Sequence, residues 1–294
     1  MKNAVMLGFL ALAFIFVSMS FATLNSKKPP KETLVKKEAP NAANPAANPT
    51  TNPTANPTSN PTSSINTPVV DNSISQVDSI PTSNYANPQL SYFYYIPQSV
   101  LQNKQARHPY LIMVPGLNGQ GQDFANQTFK DFANREGFII IAPSFVFDEK
   151  NWEGKTSYQY PSAWSGKAFN DIFNSFDSKQ GMMPSRIYML GFSAGAQFVA
   201  RYALLYPDYV TACAVNAAGE TDDPSKYQAT KFYVAVGSQD EDDRKQAAQN
   251  FYTLAQKLGI DVTFKQYDNI GHQISDQEIS DELAFFSKIN AMDK

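Results

Sequence analysis

Gly191-Phe192-Ser193-Ala194-Gly195 follows the pattern Gly-x-Ser-x-Gly. A short apolar run with strand character, residues 186–190, comes directly before it. Residues 196–206, which favour a helix, come after it and end at Pro207. A strand, a sharp turn and a helix form the setting in which this pattern is a nucleophile elbow. Because the two glycines leave room for a tight turn, we expect the Ser193 hydroxyl to stand exposed at its tip.

The first 22 residues have the composition of an export signal. Lys2 precedes an apolar run over residues 4–17, and Ser20-Phe21-Ala22 fits a small-x-small cleavage site. We expect cleavage after Ala22 and a protein that is periplasmic, extracellular or tethered to the outer face of a membrane. The alternative is an uncleaved membrane tether through residues 4–21, because the apolar run is long.

Residues 23–85 are predicted to form a disordered tether. Asn-Pro pairs recur every four residues between positions 44 and 61, separated by Ala, Thr and Ser. This segment has no apolar periodicity to bury, and each proline removes a backbone donor. The remaining residues, 86–294, are enough for a substantial core and are predicted to form one domain.

From residue 90 onward, apolar strand-like runs alternate with helical segments. The predicted strands cover residues 90–96, 110–114, 138–142, 187–190, 212–216, 232–236 and 262–267; the predicted helices cover 124–135, 163–176, 244–258 and 276–289. This alternation predicts an α/β fold, a doubly wound and mostly parallel sheet covered on both faces. In such sheets, ligands bind at the carboxyl ends of the strands, which is the edge where Ser193 is expected.

The composition argues against several classes of partner. Residues 86–294 carry 18 basic and 23 acidic side chains, and this mild acidity disfavours nucleic acid. Cys213 is the only cysteine, so an intrachain disulfide cannot form, and its apolar surroundings predict a buried side chain. The two histidines form no cluster with ligand spacing, so we expect neither a metal ion nor another cofactor.

A serine hydroxyl becomes a good nucleophile only when a general base lies within hydrogen-bond reach. The chain offers His108 and His272. His272 follows the last predicted strand and so opens at the edge where Ser193 is expected. His108 precedes the predicted strand 110–114 and lies at the opposite edge. We therefore expect His272 to be the base and His108 to be a surface residue.

The base in turn needs an acidic partner that fixes its tautomer and stabilises its charged form. Asp240 lies three residues after Gly237, the end of the penultimate strand, and is the expected acid. Asp243 could instead cap the helix that follows. Other acids, placed after the preceding strand, could also serve: Glu220, Asp222 and Asp223.

Acyl transfer also requires backbone donors for the developing oxyanion, each worth about 10²–10³ in rate. One expected donor is the amide of Ala194, directly after Ser193. The other is expected from the glycine-rich loop 115–121 and is assigned to the amide of Leu117, with Asn118 as the next choice.

The connection over residues 144–161 is rich in aromatic side chains, and a tryptophan follows it. Trp152, Tyr160 and Trp164 are the side chains we expect to line an apolar substrate pocket. The same side chains could equally anchor this connection to the domain.

Residues 90–294 together resemble the α/β-hydrolase superfamily. The elbow and the chain order Ser193, Asp240, His272 match its order of nucleophile, acid and base. Residues 94–97 and 111–116 resemble the opening strands of small secreted esterases of the polyhydroxybutyrate-depolymerase and feruloyl-esterase type. Many of these have His-Gly where this chain has Pro115-Gly116. The resemblance implies an α/β-hydrolase catalytic domain over residues 86–294 with no large cap domain.

The resemblance also implies an activity: an exported serine hydrolase that cleaves carboxylic esters through an acyl-enzyme intermediate. Its substrate would be a small-molecule or polymeric ester. Two other hypotheses stand beside it. One is a peptidase of the same fold, and the other is a non-catalytic tethered binding module.

Overall fold

The computed structural model describes residues 71–84, 86–147, 157–225 and 228–292. They form an eight-stranded sheet in the order β1-β2-β4-β3-β5-β6-β7-β8. The strands are β1 Ile74–Pro81, β2 Gln89–Ile96, β3 His108–Val114, β4 Ile139–Ser144, β5 Pro184–Phe192, β6 Val210–Asn216, β7 Lys231–Gly237 and β8 Val262–Tyr267. The helices are α1 Gln98–Leu101, α2 Gly121–Phe124, α3 Gln127–Glu136, α4 Ser165–Gln180, α5 Ala194–Leu205, α6 Asp242–Lys257 and α7 Asp276–Met292.

Six neighbouring strands run parallel to one another: β4, β3, β5, β6, β7 and β8. Strands β1 and β2 add an antiparallel pair at one edge of the sheet. Helices cover both faces: α4, α5 and α6 pack on one, and α3 and α7 on the other. Along β3, Ile112 packs into the core under α4, α5 and α6, whereas Leu111 and Met113 pack into the core under α3 and α7. The sequence of such a strand is a continuous apolar run because both of its faces are buried. The predicted doubly wound, mostly parallel sheet is confirmed.

The first strand lies inside the segment that the sequence assigns to the tether, so the tether boundary at residue 85 is wrong. β1 pairs antiparallel with β2 along its whole length, from Ile74 opposite Ile96 to Pro81 opposite Gln89. Most of its side chains are polar and accessible, and only Ile80 is buried. An edge strand is held largely by its backbone pairing, so it needs few apolar side chains and gives no clear alternating pattern.

The helix predicted over residues 124–135 is broken in two. Asn126 caps α3, because its Oδ1 accepts a hydrogen bond from the Thr128 amide at 3.0 Å. The chain therefore restarts a helix at Gln127 after the short α2. At the other end, α3 stops at Gly137, whose φ of 74° is a conformation that glycine adopts without strain.

Cys213 is fully buried in β6, as its apolar surroundings predict. Within the described ranges, no helix is both long enough and apolar enough to cross a bilayer, and no group of three or more His, Cys, Asp or Glu is arranged to hold a metal ion. The expected signal or anchor over residues 1–22 and the Asn-Pro repeat lie outside the described residues.

Candidate active site

Ser193 stands in the tight turn between β5 and α5. Its backbone has φ 54° and ψ −118°, a conformation that residues other than glycine rarely adopt. The Ser193 amide donates to the carbonyl oxygen of Asn216, the last residue of β6, at 2.8 Å. The strained turn is thus tied to the neighbouring strand, and it leaves the serine half-buried at the carboxyl edge of the sheet.

The two glycines of the elbow are required by close backbone contacts. A Cβ on Gly191 would lie 2.5 Å from the carbonyl oxygen of Gly195. A Cβ on Gly195 would lie 2.1 Å from the carbonyl oxygen of Val114 in β3. Both distances are far below van der Waals contact, so any side chain at either position would force the turn apart.

Ser193, His272 and Asp240 form a continuous chain of hydrogen bonds. His272 Nε2 lies 2.9 Å from Ser193 Oγ, and His272 Nδ1 lies 3.0 Å from Asp240 Oδ2. The Asp240 side chain is fully buried, whereas the His272 side chain is 36% exposed. The Phe192 ring packs against the imidazole, with centroids 4.9 Å apart. The three residues that the sequence predicts to work together are therefore brought together.

The loops after β7 and β8 are tied to each other, and this holds Asp240 against His272. The Gln239 amide donates to the Ile270 carbonyl at 2.8 Å, and the Asn269 amide donates to Ser238 Oγ at 2.9 Å. A Cβ on Gly237 would lie 2.1 Å from the Ile270 carbonyl oxygen, so glycine is needed where the loops cross.

Asp240 has further partners inside its own loop. Its Oδ1 accepts from the Glu241 amide at 2.8 Å, and Arg244 Nε lies 3.5 Å from the same oxygen. With His272 on Oδ2, both carboxylate oxygens are engaged. These donors and the positive charge of Arg244 compensate for the water that the buried carboxylate has lost.

The other acids weighed from the sequence lie elsewhere. Glu220 and Asp222 form ion pairs with Arg201, at 3.4 Å and 2.9 Å. Asp243 lies in the first turn of α6, whose N-cap is Glu241. His108 begins β3 at the opposite edge of the sheet, where its Nε2 contacts the Asn103 carbonyl oxygen at 2.9 Å.

The glycine-rich loop after β3 runs against the elbow. A Cβ on Gly116 would lie 3.5 Å from the Cβ of Ser193 and 3.1 Å from Phe192. The loop is a tight turn, closed by the Gly119 amide on the Gly116 carbonyl at 2.9 Å. Asn118, with φ 54°, accepts from the Phe147 amide at 2.8 Å and so connects the turn to the loop after β4.

Leu117 lies in this turn, and Ala194 begins α5. Among the described residues, no protein acceptor binds the amide of Leu117 or that of Ala194. Amides at the start of a helix and in a tight turn are donors suited to an oxyanion. The geometry is therefore compatible with the predicted roles of both residues.

A sequence model described as the α/β-hydrolase fold matches residues 109–283, more than half of the chain. This chain belongs to the α/β-hydrolase fold family. Among curated proteins, no sequence matches it.

Solved structures show the same fold at low sequence identity. A ferulic acid esterase is 16% identical with a TM-score of 0.56, over 75% of this chain and 99% of that one. An esterase from Pyrobaculum calidifontis is 12% identical with a TM-score of 0.55, over 74% and 85%. The S-formylglutathione hydrolase of Staphylococcus aureus is 13% identical with a TM-score of 0.54, over 73% and 99%.

The predicted pocket residues of this α/β-hydrolase have different surroundings. Trp152 lies outside the described residues. The Tyr160 hydroxyl donates to Glu220 at 3.3 Å, and its ring lies 4.2 Å from the Arg201 guanidinium. Trp164 packs edge-on against Phe145 and lines a hollow beside β1 and α4. Trp164 thus helps to anchor the connection, which is the second of the two roles weighed for it.

Two residues that the sequence does not single out support the site, and a third is a buried arginine of α5. Phe192 contacts the imidazole, Asn216 accepts from the Ser193 amide, and Arg201 is a buried cation two turns into α5. Of these three residues, only Arg201 could have been noticed in the sequence, as a lone arginine within the apolar run of residues 196–206. The other two roles depend on contacts between strands that local patterns do not reveal.

Two acidic residues of α7 lie behind the site and are buried. Burial raises the pKa of Glu278 to about 7, and the nearby charge of Asp240 adds to the rise. Glu278 also forms a capping box with Ser275, whose amide lies 3.4 Å from Glu278 Oε2 and whose Oγ accepts from the Glu278 amide at 3.2 Å. Burial raises the pKa of Glu282 well above its usual value, and Glu278 contributes further.

Proposed function

We propose that this protein is an exported serine hydrolase that cleaves carboxylic esters through an acyl-enzyme intermediate. The observation that carries the proposal is the hydrogen-bonded chain from Ser193 through His272 to Asp240 at the carboxyl edge of the sheet. Export is proposed from residues 1–22, which have an apolar run and a small-x-small site.

In the proposed reaction, Ser193 Oγ attacks the ester carbonyl carbon while His272 Nε2 takes the hydroxyl proton. Asp240 accepts a hydrogen bond from the Nδ1–H of His272, which keeps Nε2 free to act as a base and stabilises the imidazolium that forms. The amides of Leu117 and Ala194 donate to the oxyanion of the tetrahedral intermediate.

The intermediate then collapses, and His272 gives its proton to the departing alcohol, leaving the acyl group on Ser193. A water molecule, deprotonated by His272, attacks the acyl carbonyl carbon in the second half of the cycle. The second tetrahedral intermediate then collapses, which releases the carboxylic acid, and His272 returns the proton to Ser193 Oγ. One imidazole thus serves as base and acid in each half-reaction, as the pair of contacts at Nε2 and Nδ1 permits.

The fold supports esters as the substrate class, since solved structures of this fold include proteins named as esterases. An ester is also the easier bond for this site, because an alkoxide leaves more readily than an amide nitrogen. Parallel assays with 4-nitrophenyl esters and peptide 4-nitroanilides test this choice. A higher kcat/KM on the anilides would replace the proposal by a peptidase of the same fold.

The nucleophile is tested with a fluorophosphonate probe followed by peptide mapping. We expect a single label on Ser193, a burst of nitrophenolate in the first turnover, and no turnover in Ser193→Ala. A label on another residue would contradict the assignment, and a protein that neither labels nor turns over would favour a binding module.

The base is tested by a matched pair of variants. His272→Ala should lower kcat by about 10⁴, the scale on which a serine nucleophile depends on its base. His108→Ala removes the other histidine, at the opposite edge of the sheet, and should leave kcat within about twofold. Equal losses in the two variants would show that His272 has no special role.

A further inference from the structure

Two fully buried polar side chains behind the elbow lack the hydrogen bonds that buried groups normally make. Neither carboxyl oxygen of Glu282 in α7 has a partner among the described residues, and neither the oxygen nor the nitrogen of the Asn216 carboxamide has one. Buried polar groups without partners are rare in native proteins, and each such group calls for a physical reason.

Asn216 is directly connected to the nucleophile. It ends β6, it pairs in register with Phe192 of β5, and its carbonyl oxygen accepts the Ser193 amide at 2.8 Å. A rotation of Asn216 would therefore move the acceptor that holds the strained turn. Any group that fixes the Asn216 side chain also fixes this acceptor.

Among the described residues, no positive charge near Glu282 is found that could keep it ionised. The titratable groups that act on it are Glu278 and Asp281 on its own helix, Cys213 on β6 and Tyr233 on β7, all acidic or neutral. Of the groups that act on the pKa of Glu282, only the nearby Asn216 side chain favours the ionised form. A carboxylate buried without a cation is costly, so the group is stabilised by taking up a proton.

Protonation of Glu282 would also give both unpartnered side chains a hydrogen-bond partner. A neutral carboxylic acid has one O–H donor and one carbonyl acceptor, and a carboxamide has the matching acceptor and donor. A carboxylate has only acceptors, so it would leave Asn216 Oδ1 without a donor. The neutral acid is the form that satisfies both side chains at once.

We propose that Glu282 is a neutral carboxylic acid that donates its O–H to Asn216 Oδ1 and accepts from Asn216 Nδ2, and that it thereby acts as a positioning residue for the Ser193 elbow. The positioning role rests on the proposed hydrolase function, whereas the protonation state of Glu282 does not. This pair links α7, β6 and the elbow, and it lies outside the hydrogen-bonded chain that moves the proton.

Glu282→Gln and Glu282→Leu separate the proposal from a purely apolar role. Glutamine keeps one donor and one acceptor, so kcat should stay within about twofold of the wild type. Leucine leaves Asn216 without a partner, and kcat should fall about tenfold with KM nearly unchanged, because a misplaced nucleophile loses attack geometry. The double variant with Asn216→Leu should lose no more than Glu282→Leu alone, since both act through one contact.

Asp281→Asn is the matched control, because Asp281 lies on the same helix but pairs with Lys265 and Tyr267 at the surface. It should leave kcat unchanged. The second readout is the melting temperature between about pH 5 and pH 9. The wild type should lose stability as pH rises, because the unfolded Glu282 ionises while the folded one does not, and the loss should be at least about 3 °C smaller in Glu282→Gln.

Two results would overturn the proposal. If Glu282→Gln loses as much activity as Glu282→Leu, the carboxylate form is required. If the melting temperature of Glu282→Gln depends on pH as steeply as that of the wild type, Glu282 is not neutral in the folded protein. Failure of the proposed function is distinguishable, since a wild type that fails to label or turn over leaves the melting comparison intact.

Discussion

Asp240 and Glu282 are both buried carboxyl groups near the elbow, yet their surroundings are opposite. Asp240 is bound by His272 on one oxygen and by the Glu241 amide on the other, with Arg244 beside it. Glu282 has no cation nearby and no hydrogen bond of ordinary geometry. Burial therefore does not decide the charge of a carboxyl group in this protein; its partners do. The first group can orient a base, whereas the second is suited to act as a neutral partner for Asn216.

The largest effect should come from removing the charge of the well-partnered group. Asp240→Asn keeps the shape but replaces an acceptor for the His272 Nδ1 proton by a mixed donor and acceptor. The imidazole can then adopt the wrong tautomer, and kcat should fall by about 10³–10⁴ with little change in KM. Steady-state kinetics on a 4-nitrophenyl ester measures this.

Asp243→Asn is the control for that variant, since Asp243 belongs to the same acidic cluster, in the first turn of α6, without bonding to His272. It should leave kcat within about twofold. A comparable loss in both variants would mean that the charge of the loop matters, rather than the contact from Asp240 to His272.

Glu278 is intermediate, since it is buried but bonded to Ser275. It should add to the pH dependence of stability below neutrality. Its pKa is about 7 in the folded protein against 4.5 for an ordinary glutamate. The unfolded chain therefore releases this proton first, and stability falls as pH rises from about 4.5 to about 7. Glu278→Gln should remove up to about 3 kcal/mol of this decline while keeping the capping box.

Urea unfolding at several pH values measures that prediction. The free energy of unfolding of Glu278→Gln should fall less steeply across the interval than that of the wild type, and the remaining decline is the one expected from Glu282. Parallel curves for the two proteins would show that Glu278 ionises alike in the folded and unfolded states.

A smaller effect is expected from Arg244, the cation beside Asp240. Arg244→Met removes a charge 3.5 Å from Asp240 Oδ1 but leaves the bonds from His272 and Glu241 in place. Because two of three partners remain, kcat should fall only about threefold to tenfold. Lys245→Met provides a control on the next position of α6, where the lysine pairs with exposed Asp242. If Arg244→Met matched Asp240→Asn, the ion pair would outweigh the hydrogen bond to histidine.

The smallest effect should come from a carboxylate that water can reach. Asp78 on β1 pairs with Lys179, and hydrogen bonding to Lys179 lowers its pKa. Both side chains are partly exposed, so the pair is screened and Asp78→Asn should cost about 0.5 kcal/mol or less. Thermal unfolding measures this, and the cost should shrink further in high salt. A loss of several kcal/mol would show that β1 depends on the pair.

The elements that were predicted well have strong local signals. Central strands such as β3 are apolar on both faces, and the order of Ser193, Asp240 and His272 follows from the edge at which parallel strands end. The edge strand β1 was missed because its stability comes from backbone pairing, and the break before α3 was missed because it depends on one cap at Asn126. The contact of Phe192 with His272 joins distant segments, which no local pattern encodes.

The thiol of Cys213 can be used to measure how often the central sheet opens. It is fully buried in β6, between β5 and β7, and burial raises its pKa, so the reactive thiolate is suppressed in the folded state. A thiol reagent can reach it only when the sheet opens. Its modification rate therefore reports the opening of the central sheet from inside the unaltered protein, without any introduced label.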